Sequence, residues 1–134
     1  MTDSSRERLD GCVDAIESGY EYFLAYAAQG RRSDRDSGGA HTSEVRRHLS
    51  AMIAAMDELD EVVRHCAAAK NPQAMDDGAA FLDALAGDAA RAAGAMRLAL
   101  AQQDISSQLI DNLNASIHVR ALLTDLFVVD EAFR

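Results

Sequence analysis

The chain has 134 residues, a formal net charge of −9 and a pI near 4.7, which is enough length for one domain with its own core. An acidic surface excludes nucleic acid and anionic membrane as expected partners, because both require a basic face. With 26 alanines, one proline, no tryptophan and 5% aromatics, the composition favours helix and leaves a sheet almost nothing to build on.

The first predicted helix covers about residues 5–29, where Leu9, Cys12, Val13, Ile16, Tyr20, Phe23, Leu24 and Ala27 recur at intervals of three and four. Gly30 ends it, and the glycine-, serine- and charge-rich stretch 30–42 is expected to be a mobile loop. The second helix is expected over 43–69, with Thr42 or Ser43 as its cap and a seam of Val45, Leu49, Met52, Met56, Leu59, Val63 and Cys66. Asn71-Pro72 then opens a third, alanine-rich helix over 72–103, striped by Met75, Leu82, Leu85, Ala89, Ala93, Met96 and Leu100.

No glycine or proline separates this helix from the last one. The apolar phase does: at 100° per residue, the stripe of 75–100 and that of Ile105, Leu109, Leu113, Leu123 and Phe127 differ by roughly 170°. A continuous rod would turn its halves to opposite sides, so a break is placed near Asp104, as cap of a fourth helix over 105–133. The rival is one long helix shared between two subunits. The expected fold is therefore all-α, an antiparallel up-down-up-down four-helix bundle in a single domain, completed by homodimerisation through the alanine-rich third helix or an edge such as Phe81 and Leu98.

Cys12 and Cys66 fall on the apolar faces of their helices, have no Cys-x-x-Cys spacing, and lie at heights too different for a bridge, so both thiols are expected to be free. No run approaches eighteen apolar residues, and the N-terminal stretch lacks a signal peptide's apolar core, which points to the cytoplasm.

Several constellations carry chemistry. His41, Glu44 and His48, in "AHTSEVRRHLSA", have the spacing of a helical chelate for zinc or another divalent ion, with a fourth ligand still to be found. A second Glu-x-x-x-His, Glu61 and His65, falls on the back of the same helix and cannot share that ion. The Glu-x-x-His of ferritin-like di-metal bundles does not occur. Arg31, Arg32, Arg35, Arg46 and Arg47 concentrate at one end of an acidic chain and suit an anion or an acidic partner. On the fourth helix Gln108, Asn112, Ser116 and Arg120 run diagonally across the apolar face. Tyr20 and Glu17 of the first helix lie at matching height, which gives either a hydrogen-bonded register layer or a small-ligand pocket.

Two signalling readings complete the set. The eight residues "QQDISSQL" hold Asp104 and Gln108 four apart and resemble the Asp-x-x-x-Gln of the chemotaxis response-regulator phosphatases. That resemblance implies Gln108 as the residue orienting an attacking water, while Asp104 has a competing role as a cap. A histidine phosphotransfer domain suits the size and acidity, and His65 or His118 meets its requirement loosely, without the usual His-x-x-Lys-Gly. No Ser-His-Asp or Cys-His arrangement is expected. The composite expectation is a non-enzymatic protein-interaction or regulatory module with a protein partner. The alternative is a bundle holding a metal ion or small ligand, and the weaker alternative is a phosphosignalling bundle.

Overall fold

The computed structural model describes residues 3–35 and 43–133. Every regular element in them is helical: α1 (Asp3–Ala27), α2 (Glu44–Lys70), α3 (Gln73–Asp77), α4 (Ala79–Leu100), α5 (Ser107–Ala115) and α6 (Ile117–Ala132). The protein is all-α, and among the described residues no helix is long and apolar enough to cross a membrane. The stretch 36–42, including His41 and Thr42, lies outside the described residues.

Each long helix doubles back along a neighbour, as cross-contacts between opposite ends show. Cys66, late in α2, donates from Sγ to Ser5 O at the start of α1 (3.3 Å). Arg64 late in α2 reaches Asp83 early in α4 (2.9 Å), and Arg46 early in α2 reaches Leu100 O at the end of α4 (3.0 Å). Arg6 early in α1 bonds Asp130 and Phe133 O at the end of α6 (both 2.8 Å). The order of packing is α1 on α2, α2 on α4, α4 on α6, and α5 back onto α1.

The seam expected for α2 is the seam observed. Val45, Leu49, Met52, Met56, Leu59, Val63 and Cys66 are all buried, and they meet Leu9, Ile16 and Phe23 of α1 and Leu85, Ala89 and Met96 of α4 in one core. Each fully buried large side chain contributes roughly 1.5–3 kcal/mol. Gly19 sets the closeness of α1 and α2, because a Cβ there would overlap the Met52 side chain. Cys12 and Cys66 are both free and buried, and burial pushes both thiols up from their ordinary pKa.

Two helices end differently from the expectation. The third divides at Gly78, whose φ of −96° and ψ of 10° leave the helical region. A Cβ on Gly78 would lie 2.8 Å from Ala74 O, so glycine permits this tight joint. The fourth divides at Ser116, with φ −58° and ψ 131°. Its N–H closes α5 on Leu113 O (3.1 Å), while its hydroxyl accepts from His118 N to open α6 (3.3 Å). The break between third and fourth helices does occur, since α4 ends at Leu100 and α5 begins at Ser107. Its cap is Ser106, whose hydroxyl accepts from Leu109 N (3.0 Å), and not Asp104.

Candidate functional site

The densest polar chemistry lies at one end, where the chain leaving α1, the start of α2 and the connection from α4 to α5 converge. Asp34 is its centre, with a side chain 2% exposed. Its Oδ2 accepts from Ser43 Oγ (2.6 Å) and Arg46 Nε (2.7 Å), and its Oδ1 accepts from Ile105 N (3.0 Å) and Arg46 Nη2 (3.4 Å). Burial pushes the carboxyl up, but the hydrogen bonds from Arg46, Ser43 and the Ile105 amide outweigh it and hold the pKa down at about 2.

Arg46 spends its remaining donors on backbone. Nη1 bonds Leu100 O (3.0 Å), while Nη2 bonds Gln102 O (2.8 Å) and Gln103 O (2.9 Å). A residue of α2 thus satisfies carbonyls left open where α4 ends. Ser107 performs the complementary task for α1: its Oγ donates to Tyr26 O (2.7 Å) and accepts from Arg31 N (2.9 Å), and its N–H reaches Arg31 O (2.8 Å). Tyr26 OH donates to Ile105 O (2.6 Å), and Ser33 Oγ donates to Asp104 Oδ1 (2.7 Å).

Beside this knot lies a pocket of about 180 Å³ lined by Tyr22, Tyr26, Arg31, Asp34, Ser43, Glu44 and Val45. Its aromatic side is layered. His48 stacks on Tyr22 (centroids 4.3 Å, 19°), Tyr22 lies against Tyr26 (6.1 Å, 29°), and the Arg31 guanidinium sits 5.2 Å over the Tyr26 ring. Burial raises the Tyr22 phenol pKa, and the nearby Glu44 carboxylate adds to that. A volume below the roughly 300–1,000 Å³ of small-molecule sites suits a single inserted side chain or small ion.

The sequence-predicted sites are placed as follows. Of the metal triad, Glu44 is exposed, His48 is stacked on Tyr22, and His41 is outside the described residues; among the described residues no group of three or more His, Cys, Asp or Glu side chains gathers to hold a metal ion. Of the arginine cluster, Arg46 is turned inward, bonded to Asp34 and to the carbonyls of Leu100, Gln102 and Gln103. Arg31 borders the pocket, and Arg32, Arg35 and Arg47 are exposed.

The expected diagonal layer across the core does not form. Glu17, Asn112 and Arg120 are exposed, Gln108 donates to Asn112 on the surface (3.1 Å), Tyr20 packs half-buried against the core, and Ser116 is the joint between helices. The reason is phase, because a wheel started at Ile105 assumes a helix that begins only at Ser107 and breaks at Ser116. Asn114 takes the inward position instead, with both side-chain polar atoms buried and meeting no hydrogen-bond partner among the described residues. Asp104 and Gln108 do not share a helix face either, because Asp104 lies in the connection, bonded to Ser33. His65 and His118 are exposed.

Asp34, Tyr22 and Tyr26 were not among the expected site residues. Asp34 stands in a stretch without apolar period, where nothing local distinguishes it from its charged neighbours. Tyr26 carried a usable signal, three residues after the core Phe23. A half-buried carboxyl, Asp125 of α6, was also missed: burial raises it first, then the Asp88 carboxyl of α4 beside it, to about 7.

In comparisons with protein-family models, curated proteins and solved structures, none matched this chain.

Proposed function

We propose that this chain is a non-enzymatic protein-interaction or regulatory module on an antiparallel up-down-up-down four-helix bundle, working in the cytoplasm. The end-to-start contacts between successive long helices support the bundle, with α3 and α4 together as the third arm and α5 and α6 as the fourth. Free, buried thiols suit a reducing compartment.

One observation carries the interaction reading: the 180 Å³ pocket beside the Asp34 knot, with stacked aromatics on one side and Arg31 and Glu44 at its border. It is sized for one side chain of a partner, and the knot holds its walls rigid. The polar groups that converge most tightly there, Asp34 and Arg46, are consumed in mutual and backbone bonds, which suits support better than chemistry. Removing an aromatic anchor from such a pocket typically costs 2 kcal/mol or more of binding, about thirtyfold in affinity.

The test compares quantitative affinity capture by the wild-type protein, Tyr22→Ala and Glu44→Arg, with equal thermal melts as the control. Selective loss of the same captured protein from both variants supports the reading. Capture that is unchanged in both, or a metabolite or metal that co-purifies stoichiometrically, overturns it.

A further inference from the structure

Five large hydrophobic side chains stand exposed among the described residues, and three of them, Ile117 (74%), Phe127 (66%) and Val128 (52%), belong to α6. The inward side of α6 is Val119, Leu122, Leu126 and Val129. At 100° per residue the opposite side carries Ile117, Arg120, Thr124, Phe127, Val128 and Glu131, all exposed. On a chain of net charge −9 this face holds one positive and one negative residue and is locally neutral. Part of it is hollow, because Ala115, Ile117, Arg120, Ala121 and Thr124 line an open groove of about 380 Å³.

We infer that the outward face of α6 binds a second copy of this chain, α6 against α6 in antiparallel register about a two-fold axis at Thr124. Ile117, Arg120, Ala121 and Thr124 stand at positions i, i+3, i+4 and i+7, the four-cornered hole that receives a knob from a facing helix. With the axis at Thr124, the residues opposite the centre of that hole are Phe127 and Val128 of the second copy, and small Ala121 and Thr124 leave room for them. The same register settles the charges. Arg120 stands opposite Val128 of the second copy, one turn from that copy's Glu131, and side chains lean toward their own helix N-terminus. In an antiparallel pair that lean carries Arg120 toward the second copy's Glu131, and the two-fold axis repeats the contact.

Three exposed apolar side chains amount to a patch of a few hundred Å², short of the roughly 800 Å² per partner of a standard interface. The pair is therefore a concentration-dependent dimer and not an obligate one. This inference uses none of the Tyr22 pocket residues and stands independently of the partner reading.

Sedimentation equilibrium from about 1 to 500 μM, spanning ordinary weak affinities, tests it. The wild-type mass is expected to rise from 14.4 kDa toward twice that value, while Phe127→Glu stays monomeric. Arg120→Glu and Glu131→Arg each weaken the dimer about tenfold or more. An equimolar mixture of these two chains recovers wild-type affinity, because in the mixed pair one of the two contacts is remade with its charges exchanged and the other is the wild-type Arg120–Glu131 pair. All three positions concerned are exposed, so unchanged helical melts establish that the variants fold. A wild-type protein that is monomeric throughout, a Phe127→Glu protein that dimerises normally, or a mixture that fails to recover overturns the inference.

Discussion

Asp34 is a buried carboxyl and Asp125 a half-buried one, and their pKa values are displaced in opposite directions. Asp34 is met by a guanidinium, a hydroxyl and a backbone amide, and its pKa sits at about 2. Asp125 is met by the Asp88 carboxyl, its Oδ2 is buried without a donor, and its pKa sits at about 7. Burial acts upward on both, so the partners decide the outcome. The loop end of the molecule is where a buried carboxyl is answered by donors; the contact of α4 with α6 sets a carboxyl against another carboxyl.

Removing Arg46 breaks the contrast most severely. Arg46→Ala leaves a buried charge on Asp34 and frees the carbonyls of Leu100, Gln102 and Gln103, so a loss of about 3–5 kcal/mol is expected in urea unfolding at pH 7. Adding Asp34→Asn recovers part of that loss, because the stranded charge is gone.

Asp34→Asn alone is expected to cost about 2 kcal/mol at pH 7. The folded pKa of Asp34 lies below its unfolded value near 3.9, so its contribution is complete above that value and fades as pH falls toward 2. The variant's stability therefore changes less between pH 5 and about 2 than the wild type's, and an equal acid slope would refute the assignment.

Tyr26→Phe removes the donor to Ile105 O and is expected to cost about 1 kcal/mol, with the fold intact by circular dichroism. Asp125→Asn runs the other way. The folded pKa of Asp125 lies above the unfolded value, so the native state holds a proton that the unfolded chain releases, and wild-type stability falls as pH rises from about 4 to 7. The variant is expected to gain about 1 kcal/mol at pH 8 and nothing at pH 4, about a quarter of what the full shift would give, because solvent screens a half-exposed carboxyl. Asn114→Leu extends the comparison to a neutral group: with neither side-chain polar atom partnered, its replacement is expected to be neutral or stabilising by up to about 1 kcal/mol in the same assay.

The seam of α2 was readable because seven apolar residues keep step over more than five turns, and no local alternative buries them as well. The break after Leu100 was readable for the same reason, as a change of phase. The joint at Ser116 was not, since serine is as common within helices as at their starts, and only the backbone shows which role it has taken. The start of α5 at Ser107 put Asn112 on the surface, and the joint did the same for Arg120, leaving it on the face assigned here to a second copy.

Composition and apolar period by themselves determined that this chain is helical, where its longest helix runs and which of its faces is buried, because those properties depend on neighbours three and four residues away. The tertiary structure alone decided the partners of its polar residues. Asp34 meets Arg46 across 12 positions and Ile105 across 71, and no local pattern encodes a hydrogen bond between segments that meet only after the helices have packed.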